Sequence, residues 1–245
     1  MKDLSHYLRH IKFRLLKILR VKHVESHYGV TLQANWEDAT FMFCITGAYG
    51  ETLSKYLRDY QGDFIFLDIG ANQGLYSLLA AKNSNCIKAI AFEPVMKTFH
   101  LLTQNILRND FSDKIEAVNM GVSSADAEVE IAIEINHSGA ATLRKNDKTV
   151  GGIIEKIRVI NHVEIDKKIP THIDLVVKVD VEGHESVVLN EMLKSKYSAS
   201  IQSIFYEIDE NWTDATAIEQ VLRAAGFRSF NKVGVGSHYD ILALR

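Results

Sequence analysis

Several things are scarce in this sequence, and each shortage removes a class of protein. There are two cysteines, Cys44 and Cys86, both in apolar surroundings and without ligand spacing. A disulfide scaffold is therefore not expected, and buried thiols in a reducing compartment are. No uncharged apolar run approaches the roughly 18 residues that a membrane span needs. The apolar, basic N-terminus lacks an uninterrupted hydrophobic centre and a small-residue cleavage site, so it does not read as a secretory signal, and a cytoplasmic chain is expected. Charge of one sign is lacking too: the net charge of -3 gives no whole-chain reason to expect nucleic acid as a partner. Internal repeats and low-complexity segments are absent.

What remains is a chain of 245 residues, 47% hydrophobic and 24% charged. That is enough to bury a full core, it excludes global disorder, and it suits one α/β domain. Residues 1–24 stand apart. Leu4, Leu8, Ile11, Leu15 and Leu19 recur at helical spacing among Lys2, Arg9, Lys12, Arg14, Lys17, Arg20 and Lys22. Such a basic amphipathic helix either lies peripherally on an anionic inner membrane surface or packs on its own domain with its basic face in water. Val30–Ala34 and Thr40–Thr46 flank a polar turn and read as a hairpin, completing an appendage over residues 1–46.

From residue 47 the pattern is that of one Rossmann-like domain running to the C-terminus. A helix is expected over Gly50–Tyr60, followed by the apolar run Phe64–Leu67, which suits a strand buried on both faces. Helix and strand then alternate: Gly74–Ala81, Ile87–Phe92, Val95–Arg108, Ile115–Met120. A one-sided strand over Val129–Ile135 and a polar loop or lid over 136–152 interrupt the alternation, with a short return strand at Arg158–Asn161. The alternation resumes through Ile173–Val179, His184–Leu193, Ser203–Ile208 and Ala215–Ala225, with Gly226 as the helix stop. Phe227–Val233 and His238–Leu244 close the chain as an antiparallel hairpin. The fold expected is a doubly wound, Rossmann-like, seven-stranded α/β sheet.

The first chemical landmark is the turn Asp68-Ile69-Gly70-Ala71-Asn72-Gln73-Gly74 between a buried strand and a helix. Glycines there let backbone amides approach a ligand. The turn lacks both the G-x-G-x-x-G of a dinucleotide fingerprint and the lysine of a P-loop. A carboxylate at Asp68 would repel a pyrophosphate but suit a ligand carrying an ammonium and a sulfonium. S-adenosylmethionine has both and no phosphate. Glu93, at the tip of the second strand roughly 20 residues on, can accept both hydroxyls of a ribose. Asp68 and Glu93 also have a plainer role open to them, as caps of the helices that follow.

The run Phe66–Ser77 resembles the first motif of the FkbM family of methyltransferases, and Ala91-Phe92-Glu93-Pro94 resembles its second. Lys178-Val179-Asp180-Val181-Glu182-Gly183-His184-Glu185 is similar to the family's most telling signature, and Glu207 matches a further acidic position. The resemblance covers roughly 47–210 and implies a class I methyltransferase fold. It further implies that Asp68, Gly70, Ala71, Asn72 and Gly74 surround the methionine part of S-adenosylmethionine. Glu93 and Pro94 would lie at the ribose, Gly121, Val122 and Ser123 at the adenine, and Asp180 near the reactive methyl. The reaction implied is O-methylation, often of sugar hydroxyls in glycans or glycosylated metabolites.

Asp180, Glu182, His184 and Glu207 are expected at the carboxyl edge of the sheet, where open α/β folds bind ligands. A hydroxyl acceptor needs close approach and a base. His184, its pKa raised by a neighbouring carboxylate, or Asp180 or Glu182 can fill that role. Glu182 and Glu185 can instead satisfy the next helix N-terminus. Oxygen and imidazole groups of this kind also suit a divalent metal, but no ligand geometry is legible and none is assigned. Tyr76 and Tyr206 are expected to pack, Ser138, Thr142 and Arg144 to reach an acceptor from the loop, and Glu51 to abut the cofactor or start a helix. The rival functions are an NAD-linked oxidoreductase and a non-catalytic membrane or scaffold module held through residues 1–24.

Overall fold

In the computed structural model, which describes residues 4–143 and 152–245, the chain begins with helix α1 (Leu4–Ile18). Strands β1 (His23–Glu25) and β2 (Thr31–Gln33) pair antiparallel with Val24 opposite Leu32. Helices α2 (Ala39–Thr46) and α3 (Glu51–Asp59) follow. The hairpin expected between Val30–Ala34 and Thr40–Thr46 is therefore corrected: the first run pairs backwards with β1, and the second is helical. The reason is local. Asp38 accepts the Phe41 amide at 2.8 Å as an N-cap, Gly47 closes the helix at φ 69°, and Phe41, Cys44 and Ile45 are buried at helical spacing.

The body then alternates through β3 (Phe64–Ile69), α4 (Leu75–Lys82), β4 (Cys86–Phe92), α5 (Met96–Arg108) and β5 (Ile115–Val118). A branch follows: β6 (Gly121–Val122), β7 (Ala127–Ile133) and β8 (Ile153–Ile160) form a separate three-stranded sheet in the order β6-β8-β7. The return strand is thus longer than the sequence pattern indicates. Its first four residues, Ile153-Ile154-Glu155-Lys156, set two apolar side chains before two charged ones instead of alternating, which hides them from a period-of-two reading. The chain completes itself with α6 (His162–Asp166), β9 (Asp174–Val179), α7 (Glu185–Lys194), β10 (Ile201–Asp209), α8 (Ala215–Ala224), β11 (Ser229–Val233) and β12 (His238–Leu244).

The main sheet has seven strands in the order β11-β12-β10-β9-β3-β4-β5, parallel from β10 to β5 and antiparallel at β12 and β11. This is the doubly wound α/β fold with a C-terminal hairpin. Strand alternation divides the core. Phe64 and Phe66 of β3 pack with α2, α3, α4 and α5, whereas Ile65, Leu67 and Ile69 pack with α6, α7 and α8. Residues of α1, β1, β2 and α2 share the first of these cores.

Helix α1 docks through a face that its leucine pattern does not indicate. Phe13 is buried beside Trp36 and Phe41, with ring centroids 5.3 Å and 6.2 Å away, and Leu16 packs against the same core. Arg9 Nε donates to the Thr46 carbonyl at 2.6 Å, and Lys17 Nζ to the Trp36 carbonyl at 3.0 Å. Leu8, Ile11, Leu15 and Leu19 are exposed. Among the described residues no helix is long and apolar enough to cross a membrane.

Candidate functional site

The parallel strands β3, β4, β9 and β10 end at one edge of the sheet, and their C-terminal residues open into a cavity of about 330 Å³. Its floor is the turn after β3. Gly70 has φ 81°, and a Cβ there would lie 1.9 Å from the Asp180 carbonyl, so only glycine lets the turn pass beneath the end of β9. Asn72 is held at φ 50°, a left-handed conformation that a side chain rarely adopts.

The turn's amides do not form an open cradle. Gly70 and Ala71 both donate to the Phe92 carbonyl, at 3.0 and 2.9 Å, and Gly74 donates to Ala71 at 2.9 Å. Asn72 donates to Glu93 Oε2 at 2.9 Å, and Gln73 to the Asn72 side chain at 2.7 Å. All five donors are consumed within the protein, so the turn presents no amide cluster to a phosphate.

Asp68 has no surface in the cavity, which corrects the expectation that it faces a ligand. Its Oδ2 accepts from the amide and hydroxyl of Ser77, at 3.1 and 2.7 Å, which stitches β3 to the first turn of α4. Its Oδ1 lies 3.4 Å from Lys178 Nζ. Lys178 is buried, donates to the Gly70 carbonyl at 2.6 Å and sits 3.3 Å from Asp180. Burial alone would lower its pKa, but the Asp180 and Asp68 carboxylates outweigh it and hold the ammonium charged. The negative charge argued for Asp68 is thus neutralised locally, and the cavity's acidity comes from other residues.

Glu93 is one of these. It lines the cavity with Pro94, and its Oε1 accepts the Val95 amide at 2.9 Å. Burial pushes its pKa up to about 7, against the opposing effect of its two amide bonds. Asp180, Glu182 and Glu207 line the cavity as well, each offering an oxygen within 4.8 Å of the others. Glu182 sits at φ 52° and Gly183 at φ 95°, a left-handed pair between β9 and α7. The turn is secured by Glu185, whose Oε1 accepts the amides of Val181 (3.2 Å) and Gly183 (3.0 Å), while Thr142 Oγ1 donates to the Glu182 carbonyl at 2.7 Å. Glu207 Oε1 lies 2.6 Å from His238 Nε2, a diagonal pair across β10 and β12. Burial first, then Asp180, raises Glu207 to about 8. Burial lowers His238, but Glu207 outweighs it and raises the imidazole. Burial and Asp180 raise neighbouring Asp240 to about 7.

His184 also lines the cavity. Its Nε2 lies 3.0 Å from Ser123 Oγ, and burial lowers its pKa. The expected rise from a neighbouring carboxylate is absent, and His184 is outside the acidic trio. Gly121 and Val122 line the cavity beside Ile131 and Ile157, forming an apolar wall with Pro94. Gly74 and Ser123 do not line it; Gly74 turns at φ 89° where a Cβ would meet Leu102 at 2.5 Å. Tyr76 is buried yet reaches the cavity, whereas Tyr206 is wholly within the core. Ser138 lines the cavity, with Oγ 3.0 Å from Asn72 Oδ1 and its amide donating to Asp38 at 2.7 Å. Arg144 lies outside the described residues.

Two groups of lining residues carry no site signal in the sequence, Thr40, Phe43 and Cys44 of α2 and His238, and Lys178 enters only as the first residue of the 178–185 run, with no role assigned. Lys178 does leave a trace, as the lone cation in a strand that otherwise reads as buried on both faces. His238 becomes a neighbour of Glu207 only through strand pairing.

The family model "Methyltransferase FkbM domain" matches residues 68–229. The hexuronic acid methyltransferase AglP of Haloferax volcanii is 29% identical over 155 residues, 61% of this chain and 59% of that protein. Methyltransferase sdnD of Sordaria araneosa is 32% identical over 82 residues, 34% of this chain and 32% of that protein. The chain thus matches well under two thirds of the length of either relative. Among solved structures, the METTL16 MTase domain superposes with a TM-score of 0.54 at 15% identity, over 99% of this chain and 80% of that one, a likeness of fold alone. The matched span takes in residues 70–73, Glu93, Lys178, residues 180–182, His184 and Glu207, all of which line the cavity, and the chain belongs to the FkbM methyltransferase family.

Proposed function

We propose that this chain is an S-adenosylmethionine-dependent O-methyltransferase whose acceptor is a sugar hydroxyl of a glycan or glycosylated small molecule. The observation that carries the reading is the one cavity that gathers both sets of residues. The inward-bonded glycine turn with Glu93 beside it lines it, as do Asp180, Glu182 and the Glu207–His238 pair, and Gly70 passes directly beneath the Asp180 carbonyl. The residues fit the cofactor on three counts. No amide cluster invites a phosphate, the carboxylates complement a cation, and Pro94, Val122 and Ile157 give an apolar wall for a flat base. When bound, the cofactor would supply an electrophilic sulfonium methyl group for attack by an oxygen nucleophile, with the thioether as the leaving group.

The chain's own residues then have separate tasks. Gly70, Ala71 and Asn72 would abut the methionine part, and Glu93 the ribose, while Gly121 and Val122 would take the adenine side. Lys178 fixes Asp180 at the end of β9, so the carboxylate is held rather than left to swing. Glu207, backed by His238, is the proton acceptor best matched to an alcohol near neutral pH. His184 is the weaker choice, because burial lowers its basicity and Ser123 engages its Nε2. Glu182 and Asp180 can each accept hydrogen bonds from paired sugar hydroxyls. That AglP is named for a hexuronic acid supports a carbohydrate acceptor without naming this one.

An NAD-linked oxidoreductase would need donors for a pyrophosphate, and the turn's donors are spent. The test is transfer of labelled methyl from S-adenosylmethionine to a panel of glycans. Turnover should rise with pH towards about 8 as Glu207 loses its proton, and Glu207→Gln should lower it by about 100-fold or more and flatten that rise. An unchanged rate in Glu207→Gln would remove Glu207 as the base, and absence of transfer to every glycan would remove the acceptor class.

A further inference from the structure

The outward face of α1 is not used by the fold. Tyr7, Leu8, Ile11, Leu15, Ile18 and Leu19 are between 39% and 76% exposed. At 3.6 residues per turn they fall within about 120° of the helix circumference, one continuous stripe. Arg14 borders the stripe on one side and Lys12 on the other, both exposed, and Arg20 and Lys22 follow at its end. The segment Leu4–Lys22 contains no acidic residue.

The inward face is already committed. Phe13 and Leu16 enter the core, Arg9 bonds the end of α2, and Lys17 pairs with Glu37 at 3.0 Å. A helix anchored on one side therefore exposes a wide apolar stripe on the other, with cations on both borders. Chance surface leucines do not line up in this way, and a stripe of this kind in water has an exposure cost that some partner relieves.

We infer that α1 is an interfacial helix that docks the whole chain on an anionic lipid bilayer, with the stripe among the acyl chains and Lys12, Arg14, Arg20 and Lys22 at the phosphates. Charge complementarity selects this occupant: a second copy of the chain would bring two cationic borders together, whereas an anionic surface neutralises them. The helix is about 22 Å long, which suits lying in the interface and not crossing it. Since α1 packs on α2, whose Thr40, Phe43 and Cys44 line the cavity, docking would hold that cavity wall one helix away from the lipid.

The test is co-sedimentation of the full chain with phosphatidylcholine vesicles, with and without phosphatidylglycerol, and its readout is independent of methyl transfer. The chain should sediment with the anionic vesicles and stay largely in solution with the neutral ones, and added salt should weaken binding. Leu15→Glu with Ile18→Glu should lower the partition coefficient by about tenfold or more, and Lys12→Glu with Arg14→Glu should abolish the preference for anionic lipid. All four side chains point outward, so melting temperatures should match that of the parent chain. The inference is overturned if the parent chain ignores anionic vesicles, or if the Leu15/Ile18 variant sediments equally. It is likewise overturned if the parent is a vesicle-indifferent dimer that this variant converts to a monomer.

Discussion

Lys178 stands between Asp68 and Asp180. Lys178 and Asp68 have almost no contact with water, so each of those two buried charges is tolerable only because of its partner, while Asp180 is partly exposed to the cavity. Removing the cation should therefore cost more than removing a surface lysine. Lys178→Met should lower unfolding stability by about 3 kcal/mol or more, read by chemical denaturation, because it strands Asp68 without its ion pair. A change under about 0.5 kcal/mol would place Lys178 among ordinary surface residues and contradict the buried Asp68–Lys178 pair. The same pair explains a limit of sequence reading. Gly70 and Glu93 were legible because a glycine after a buried strand and an acid at the next strand tip are local patterns. The direction in which Asp68 points is not local: it depends on Ser77 on one side and on a lysine 110 positions away on the other.

At the scale of elements, the parallel strands and their helices were readable because a strand buried on both faces and a helix with one apolar stripe differ over their full length. Helix α2 was not. Thr40–Thr46 is apolar nearly throughout and too short for either period to dominate, and the deciding signal was the cap at Asp38. Asp38 also accepts from the Ser138 amide and from the Gln73 side chain at 2.9 Å, so one carboxylate ties α2 to the glycine turn and to the segment over the cavity. Asp38→Ala should lower stability by about 1–2 kcal/mol through loss of the cap. It should also speed hydrogen exchange at Phe41 and Ser138, whose amides it accepts. Unchanged exchange at both amides would show that the segment over the cavity is held by other contacts. The long strand β8 escaped a hydrophobicity reading for a related reason: it belongs to a small sheet with one wet face, and its outer residues carry no periodic signal.

For the whole molecule, the cavity concentrates carboxyl groups whose protons are held to unusually high pH. Glu93 and Asp240 are raised to about 7 and Glu207 to about 8, chiefly by burial, and His238 is raised as well. In each case the folded chain binds protons more tightly than the unfolded one, so the stability these groups contribute is complete at low pH and is lost as pH rises through their folded values. The lowered pKa of His184 acts in the opposite sense, but below about pH 6.5, outside that window. The melting temperature of the chain without cofactor should therefore fall by a few degrees between about pH 6.5 and 8.5. A melting temperature that climbed across this range would contradict the accumulation of buried carboxyls.

A bound cation should relieve that strain, which ties the molecule's pH behaviour to its central claim. The most direct measurement is calorimetric titration of the full chain with S-adenosylmethionine, in parallel with NAD, repeated on Gly70→Val and Glu93→Ala. One saturable site for S-adenosylmethionine is predicted, with affinity rising as pH increases through about 7 and Glu93 ionises. Affinity should fall at least about tenfold in Glu93→Ala and be lost in Gly70→Val, where the new side chain would meet the Asp180 carbonyl. No heat with S-adenosylmethionine, or saturable binding of NAD in its place, would contradict the account.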